Sequence, residues 1–340
     1  MKTDNKKILV TGGAGYVGSH IVKALRDKGK SPVVFDNLST GLRENLLPGI
    51  PFILGDTLSA EQLKPAMSGV DSIIHMAAHK AAGESMTDPG KYAMNNLTGT
   101  INLINAAAEA KIKYFVFSSS AAVYGEPKYL PLDEAHTTEP LSFYGYTKLE
   151  IEKLLGWYSK LKDIRFASLR YFNAAGYDID GEINGLEKEP NNLIPVVLET
   201  IMGKREEVIV FGSNYQTDDG SCIRDYIHVN DLAEAHLSAL NYLVSKNKDL
   251  VVNLGTSKGL SVLEIIRFAR EVSGTDFKYT LGQRRPGDPA PRRRRSHSHQ
   301  CGFRRTGRGG DQGDDTRGLP ARARVPRMGG VFHGAPRLQS

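Results

Sequence analysis

The sequence predicts a doubly wound parallel α/β sheet, and three observations support this fold class. Five short runs are rich in Val, Ile and Phe, and four of them end in Gly, Asp or Ser, as buried parallel strands do. Stretches with helical periodicity separate these runs. A glycine-rich turn joins the first run to the first helical stretch, so strand and helix alternate from the start of the chain.

The first half of the chain supplies most of the predicted sheet. Strands are predicted at residues 6–12 (KKILVTG), 32–36 (PVVFD), 51–56 (PFILGD), 71–78 (DSIIHMAA), 113–120 (KYFVFSSS) and 165–173 (RFASLRYFN). Helices are predicted at residues 17–28, near 60–68, at 92–110, and from the segment around Lys148 to about 161. Residues 1–175 are therefore expected to form a nucleotide-binding domain to which later elements can return.

Residues 176–290 look smaller and more irregular. Their first part is rich in Gly, Asp and Pro, and the elements predicted after it are helices at 193–202, near 229–243 and near 262–271 and strands at 206–212 and 250–255. We expect a smaller α/β lobe across the C-terminal edge of the sheet, where α/β proteins bind ligands.

The positive charge of the chain lies in its last fifty residues. The chain has 340 residues and a net charge of +6, but residues 291–340 hold 12 Arg, no Lys and 3 Asp, which leaves residues 1–290 at −3. The body is mildly acidic, so no nucleic-acid partner is expected. The Arg/Gly-rich tail has almost no apolar periodicity, which predicts disorder or a shifted coding frame near residue 290.

Cysteine content and the apolar runs bear on location. Only Cys222 and Cys301 are present, so a disulfide framework is excluded and a reducing cytosol fits. The N-terminus runs into a strand without an apolar signal segment. No apolar run reaches the ~18 residues of a membrane span, so a cytoplasmic location without a membrane partner is expected.

The stretch ILVTGGAGYVGSH carries a phosphate-binding pattern. It contains Gly13-x-Gly15-x-x-Gly18 and equally Gly12-x-x-Gly15-x-x-Gly18, between a predicted strand and a predicted helix. Glycines there permit a tight turn and let the backbone approach a pyrophosphate at the helix N-terminus. The segment predicts a dinucleotide cofactor.

Two aspartates bear on which dinucleotide is bound. Asp36 ends the second strand 18 residues after Gly18, where a carboxylate accepts hydrogen bonds from ribose hydroxyls and repels a 2′-phosphate. No Arg follows directly, so NAD is favoured over NADP. Asp56, at the end of the third strand, could reach the adenine or cap a helix, and the sequence leaves both open.

The stretch SFYGYTKLE places Tyr144 and Lys148 four residues apart, on one face of a helix. Alone, such a pair is more often packing than chemistry. Serines 118–120, however, end the fifth strand at the edge where ligands bind. Lys148 and the positive ring of the cofactor would lower the pKa of the phenol, so that it could take a proton near neutral pH, and Ser120 would hydrogen-bond the same substrate oxygen.

From about residue 6 to residue 290 the chain resembles the extended short-chain dehydrogenase/reductases, and within them those that epimerise UDP-sugars. The motifs are VTGGAGYVGSH, HMAAHKAAGES, NNLTGT, SSSAAVYG, YGYTK, LRYFNAAG, PNNLIP, RDYIHVNDLA and RRPGDPA. The resemblance implies a Rossmann fold and catalytic Ser120, Tyr144 and Lys148. It implies NAD contacts from Gly12, Gly15, Tyr16, Val17, Gly18, Asp36, Asn37, Asp56, Lys80, Asn95 and Phe172. It implies UDP-sugar contacts from Asn173, Asn192, Leu193, Arg224, Arg285 and Asp288.

The same resemblance implies a reaction without net redox change, and a homodimer. Tyr144 would remove the proton of the sugar 4-hydroxyl while NAD⁺ takes hydride from C4, and the 4-keto sugar would turn before hydride returns to its other face. Such chemistry interconverts UDP-glucose and UDP-galactose, a step of galactose metabolism.

Other functions remain to be weighed. A dehydratase needs an acid–base pair after the catalytic hydroxyl residue, but Ala121 and Ala122 stand there. An epimerase of UDP-glucuronate or of UDP-N-acetylhexosamines stays open, because the tail leaves sugar scope unreadable. A non-catalytic NAD-sensing module would usually lack the Tyr or the Lys, and both are present.

The histidines His75, His79 and His228 are expected to be packed and hydrogen-bonded rather than catalytic, and no Cys/His/Asp cluster has metal-ligand spacing.

Overall fold

The computed structural model describes residues 6–130, 132–183, 187–188, 190–256 and 259–284. Within them, the strands in chain order are β1 (Lys7–Thr11), β2 (Ser31–Asp36), β3 (Phe52–Leu54), β4 (Val70–His75), β5 (Tyr114–Ser118), β6 (Arg165–Tyr171), β7 (Asn173–Ala175), β8 (Val208–Phe211), β9 (Ile223–His228), β10 (Leu250–Leu254), β11 (Gly259–Ser261) and β12 (Tyr279–Gly282).

The helices of the described residues alternate with these strands. They are α1 (Tyr16–Asp27), α2 (Ala60–Ala66), α3 (Ala82–Ser85), α4 (Pro89–Tyr92), α5 (Gly99–Glu109), α6 (Phe143–Lys162), α7 (Leu193–Ile201), α8 (Val229–Lys246) and α9 (Val262–Ser273). A π-helical segment, Ala93–Thr98, joins α4 to α5, and short 3₁₀ turns lie at Arg43–Asn45 and Ala121–Val123. None of the described helices combines the length and the apolar character that crossing a membrane requires.

Seven strands form one sheet in the order β10-β6-β5-β4-β1-β2-β3, and every neighbouring pair is parallel. The chain builds outward from β1 to β3 on one side and from β4 on the other, so the order reverses between β1 and β4. The carboxyl ends of these two strands therefore border the crevice where such sheets bind ligands. This arrangement confirms the predicted doubly wound fold.

Burial explains why these runs form a central sheet. All residues of β1 except Lys7 are buried, and Val10 pairs with Val34 on one side and with Ile74 on the other. In α1, Ile21, Val22 and Leu25 recur at helical spacing and are buried in the core. A strand buried on both faces reads as a continuous apolar run, which is why the sequence identifies it.

The later elements divide between the main sheet and two smaller sheets. Strand β10 pairs with β6, and α8 packs against α1, so both lie with the first half of the chain. Strand β9 pairs with β7 and β11, while β8 pairs with β12. Four strands, β7, β9, β11 and β12, are not among those predicted from the sequence. Three of these strands have only three or four residues, and β9 carries Arg224 and Asp225 inside its run.

Candidate active site

The turn between β1 and α1 has the backbone geometry of a phosphate site. Gly12 has φ +71, and a Cβ there would stand 2.6 Å from the backbone nitrogen of Ala77. A Cβ on Gly18 would overlap the carbonyl oxygen of Gly12. Gly15 caps α1 without a side chain, and the first turn of α1 has no acidic residue. The amides at this helix end suit an anion, and the turn fits a dinucleotide pyrophosphate.

Asp36 presents a fixed carboxylate at the end of β2. The side chain is buried, with Oδ2 accepting from the backbone N–H of Ala14 (3.0 Å) and Oδ1 from that of Leu38 (2.8 Å). Burial raises the pKa of Asp36, and these two hydrogen bonds oppose the shift. The carboxylate is therefore tied to the glycine-rich turn, the place that a ribose-binding acceptor requires.

Asn37 and Asp56 form a pair beside Asp36. The Nδ2 of Asn37 donates to Asp56 Oδ2 (2.9 Å), and Asp56 Oδ1 accepts from the backbone N–H of Leu58 (2.8 Å). The N-cap of α2 is Ser59, whose hydroxyl accepts from the N–H of Gln62. The reading of Asp56 as a helix cap is therefore wrong, while its place beside Asn37 agrees with a cofactor contact.

Three further residues with predicted cofactor contacts lie beyond the carboxyl ends of β4 and β6. Lys80 forms an ion pair with Glu187. Asn95 is half-buried in the π-helical segment. Phe172 is half-buried and packs against a small core cluster that contains Tyr124 and Leu149.

Tyr144 and Lys148 lie on the first turns of α6. Ser142 caps this helix by accepting a hydrogen bond from the N–H of Gly145 (3.2 Å). Lys148 is 3% exposed, and its Nζ donates to the carbonyl oxygen of Ser118 (2.7 Å) and lies 5.8 Å from the centroid of the Tyr144 ring. The helix thus brings a phenol and an ammonium together over the end of β5.

Burial controls the titration of both groups. Burial, followed by the neighbouring Tyr171, raises the pKa of Tyr144, while a hydrogen bond with Ser120 lowers it. Burial also lowers the pKa of Lys148 to about 7, against the opposing charge of Glu152. For Tyr144 this direction is opposite to the lowering expected from the sequence, because desolvation outweighs the opposing hydrogen bond with Ser120. The lowering expected from the sequence also includes the positive charge of the bound cofactor.

Ser120 completes the predicted trio. It caps the 3₁₀ turn Ala121–Val123, with its hydroxyl accepting from the N–H of Ala122 (3.2 Å), and it hydrogen-bonds Tyr144. Two residues earlier, the hydroxyl of Ser118 is 2.5 Å from that of Tyr171. The structure therefore brings Ser120, Tyr144 and Lys148 together at the carboxyl end of β5.

A buried ion pair beneath this trio is absent from the sequence-based prediction. Arg170 NH2 lies 2.5 Å from Glu152 Oε2, and the two side chains are 8% and 6% exposed. Ser119 Oγ donates to Glu152 Oε1 (2.5 Å). The available signals were the spacing of Glu152, four residues after Lys148, and a charged Arg170 inside an otherwise apolar strand.

A separate cavity of about 270 Å³ adjoins β7, β8 and β9. Four residues predicted to contact a UDP-sugar line it: Asn173, Asn192, Leu193 and Arg224. Other lining residues, which carry no sequence signal for this site, include Arg205, Glu207, Ile209, Phe211, Cys222 and Tyr226. Arg285 and Asp288, predicted for the same role, lie outside the described residues, as does the tail 291–340. The cavity combines guanidinium and amide donors with aromatic rings, which suits a nucleotide.

The side chains of His75 and His228 are buried and hydrogen-bonded, as predicted. His75 is buried between Thr11 (2.6 Å) and Thr100 (2.8 Å), and burial lowers its pKa to about 3. His228 is buried and accepts a hydrogen bond from the N–H of Asn230 (3.2 Å). The backbone N–H of His79 donates to Asn96 (2.9 Å). Among the described residues, no group of three or more His, Cys, Asp or Glu side chains could hold a metal ion.

Three features lie on one parallel sheet: a glycine-rich turn, an aspartate closing β2, and a pair of a half-buried Tyr and a buried Lys. Together they define a class of dinucleotide-dependent enzymes that act on alcohols and carbonyls. The chain belongs to the NAD dependent epimerase/dehydratase family, which matches residues 8–255.

Curated and solved relatives agree with this assignment. The chain is 44% identical over 285 residues to the UDP-glucose 4-epimerase of Halalkalibacterium halodurans, covering 83% of this chain and 85% of that one. The Brucella ovis UDP-glucose 4-epimerase, solved with NAD, is 41% identical at a TM-score of 0.80, covering 84% and 88% of the two chains. The Bifidobacterium longum enzyme, solved with NAD+ and UDP, is 31% identical at a TM-score of 0.85, covering 97% of each chain.

Proposed function

We propose that this protein is an NAD-dependent enzyme that inverts C4 of a UDP-hexose, interconverting UDP-glucose and UDP-galactose through a 4-keto sugar. The observation that carries the proposal is the Ser120–Tyr144–Lys148 trio, with Lys148 buried and the other two residues half-buried, together with the cavity beside β7, β8 and β9. Asn173, which lines that cavity, lies two residues after Tyr171, whose hydroxyl contacts Ser118 beside the trio. Similarity to UDP-glucose 4-epimerases supports the choice of substrate.

The chain offers matching groups along the length of NAD. We assign the pyrophosphate to the turn Gly12–Gly18, the ribose to Asp36, and the remaining contacts to Asn37, Asp56, Lys80, Asn95 and Phe172. The hydroxyl of Tyr16 donates to the carbonyl of Gly176, so Tyr16 and Val17 would contribute through their backbone amides. When bound there, NAD supplies the two-electron acceptor and donor for C4.

Tyr144 is assigned the proton transfer at the sugar 4-hydroxyl. Burial raises its pKa, so the phenol holds its proton until a positive charge beside it favours the phenolate. Lys148, whose pKa is lowered to about 7, supplies that charge and can itself exchange protons near neutral pH. Ser120 orients the same oxygen through its hydroxyl.

The cavity is assigned to the UDP portion of the substrate. Arg224 offers charge-assisted hydrogen bonds to the diphosphate, and Asn173 and Asn192 offer amide donors and acceptors. Arg285 and Asp288 are also assigned to substrate binding, and this assignment rests on their sequence motif alone. An epimerase of UDP-glucuronate or UDP-N-acetylhexosamines is the second candidate, which a panel of UDP-sugars would separate by relative kcat/KM.

We further propose a homodimer. Large apolar side chains are exposed on two neighbouring helical segments, Met94 and Ile101 on one and Trp157 and Leu161 on the other. A hydrogen bond from Tyr158 to Asn105 (2.5 Å) joins the two segments. An apolar face of this kind favours pairing with a second copy, which light scattering would measure. The division into a cofactor domain and a sugar lobe, and the cytosolic location, stay predictions.

The reaction is tested with the purified full chain and UDP-galactose, without added reductant. We expect UDP-glucose to appear in chromatographic assays at no net consumption of NAD. Tyr144→Phe is expected to lower turnover by roughly 10²-fold or more, the range for a lost acid–base group. Tyr146→Phe is the matched control, because Tyr146 is 43% exposed on the same helix.

Two results would contradict the proposal. One is a wild-type protein that retains NAD but converts no UDP-hexose, which would favour the NAD-sensing module. The other is a Tyr144→Phe variant as active as Tyr146→Phe, which would remove the phenol from the chemistry.

A further inference from the structure

We propose that Glu152 is a positioning residue for this reaction: its buried carboxylate keeps Lys148 charged beneath Tyr144 and fixes the turn that presents Ser120. The inference rests on the proposed function, because it assigns a task within the same site. Glu152 itself touches neither Tyr144 nor the sugar cavity in any described contact, so it acts through its neighbours.

The geometry places Glu152 where it can serve both catalytic side chains. It follows Lys148 by one helical turn on α6, so the two side chains share a face of the helix. Its Oε1 accepts a hydrogen bond from Ser119 (2.5 Å), the residue directly before Ser120. One carboxylate therefore contacts the serine turn directly and lies one helical turn from Lys148.

Arg170 holds that carboxylate in a single orientation. Its Nε donates to Glu152 Oε1 (3.0 Å) and its NH2 donates to Oε2 (2.5 Å), a two-point contact between planar groups. Its NH1 donates to the hydroxyl of Tyr124 (2.9 Å), which in turn donates to Asn253 (2.7 Å). Glu152 is thus fixed from strand β6, while it faces Lys148 along its own helix.

Among the groups around Lys148, Glu152 is the one whose charge stabilises the protonated amine. On α6, Lys148 is faced by Tyr144 and Glu152; on β4 it is faced by His75, which burial keeps neutral. Arg170 lies on β6 and contacts Glu152. Burial lowers the pKa of Lys148 to about 7, and the charge of Glu152 is what opposes this shift. Without Glu152, the amine would lose its proton at a lower pH.

A purely structural role makes a different prediction. If the Glu152–Arg170 pair only fastened α6 to β6, removing either partner would destabilise the protein to a similar extent, because each deletion leaves a buried charge alone. It would not move the titration of Lys148 in opposite directions. The sign of the shift therefore separates the two roles.

The first experiment measures pH profiles of turnover for Glu152→Gln and Arg170→Gln. Glu152→Gln keeps the shape and an acceptor for Ser119 but removes the negative charge, so we expect the basic limb to move down by about one pH unit. Arg170→Gln leaves the negative charge unopposed, so the limb should move up. Glu150→Gln is the matched control: Glu150 lies two residues away and pairs with the exposed Lys153 (2.8 Å).

A second readout does not need turnover. The free energy of unfolding is compared with and without Lys148→Met in each background, as a function of pH. Because the folded pKa of Lys148 is about 7 against an ordinary 10.5, the unfolded chain binds the extra proton between these values. The Lys148 protein therefore gains stability relative to Lys148→Met as pH rises through this window. In Glu152→Gln the gain should begin at a lower pH.

If Glu152→Gln does not fold, the double variant Glu152→Gln/Arg170→Met is used in its place, because it removes both charges of the buried pair. Its basic limb should still move down, by less. The inference would be overturned if the basic limb of the pH profile did not move in these variants, or if it moved in the same direction in Glu152→Gln and Arg170→Gln. A wild-type chain without turnover would refute the proposed function alone, because the unfolding measurement still decides the role of Glu152.

Discussion

The two parts of the proposed site differ in the solvent exposure of their charged side chains. At the start of α6, Lys148 is 3% exposed and its neighbours Thr147 and Leu149 are buried. In the cavity beside β9, by contrast, Asn173, Asn192 and Arg224 are each only half-buried. The ammonium of Lys148 therefore lies in a low-dielectric environment, whereas Ser120 and Tyr144 are half-buried, like the groups that would hold the UDP portion.

This difference separates chemistry from binding. Burial shifts the pKa of Tyr144 and of Lys148, so small changes there alter proton transfer. In the cavity, donors need only be positioned for a charged diphosphate, and water can replace some lost contacts. Substitutions at the α6 edge should thus lower kcat, whereas substitutions in the cavity should raise KM.

The largest expected effect is at Lys148. Lys148→Met keeps the length of the side chain and its packing but removes the charge that favours the phenolate of Tyr144. We expect kcat to fall by roughly 10²-fold or more with little change in KM. Lys153→Met, on the exposed face of the same helix, is the control and should leave kcat unchanged. A Lys148→Met variant with a tenth of wild-type kcat or more would show that the phenolate of Tyr144 does not depend on the charge of Lys148.

Arg224 should give the second largest effect. Arg224→Leu removes a donor from the cavity, and a hydrogen bond to a charged group is worth about 1.5–3 kcal/mol. We expect KM for the UDP-sugar to rise about 10- to 100-fold with kcat nearly constant, measured by steady-state kinetics. Arg267→Leu, an exposed position on α9, should change neither value. A fall in kcat without a change in KM would break the separation between the two regions.

The third prediction concerns Asp36, the buried carboxylate assigned to the ribose of NAD. Asp36→Asn can keep one acceptor, but its amide places N–H groups against the backbone N–H of Ala14 or Leu38. We expect NAD affinity to fall about tenfold, the loss of about 1.4 kcal/mol, with improved tolerance of NADP. Retained NAD is measured by absorbance after dialysis. Asp71→Asn, at the opposite end of the sheet, should retain NAD like the wild type.

The two regions also differ in how far the sequence predicts them. Tyr144 and Lys148 share one helix, and Ser120 lies two residues after β5, a strand that reads as a buried run, so local patterns are enough to bring them together. The cavity is built from segments near residues 173, 192, 208 and 224, and only resemblance to relatives assigns them to one site. No local pattern pairs residues from separate sheets.

The unpredicted features share a physical cause. The Glu152–Arg170 pair joins a helix to a strand 18 residues later, and its partners are set by packing rather than by spacing. The raised pKa of Tyr144 depends on the depth of burial, which the sequence does not state. The short strands β7 and β11 carry too few residues for a periodic signal.

The smallest expected effect comes from comparing two glycines of α6, Gly145 in its first turn and Gly156 further along the helix. A Cβ on Gly145 would stand 2.5 Å from the carbonyl oxygen of Ala122, whereas a Cβ on Gly156 meets nothing within 4 Å. Gly156→Ala should therefore stabilise the protein by about 0.5–1 kcal/mol, because alanine loses less backbone entropy in a helix. Gly145→Ala should lower both stability and kcat, because the added Cβ would push against Ala122, which belongs to the turn capped by Ser120. Thermal unfolding at equal NAD content measures the first effect. If Gly156→Ala changed kcat as Gly145→Ala does, the chemistry would depend on the whole helix rather than on its buried first turns.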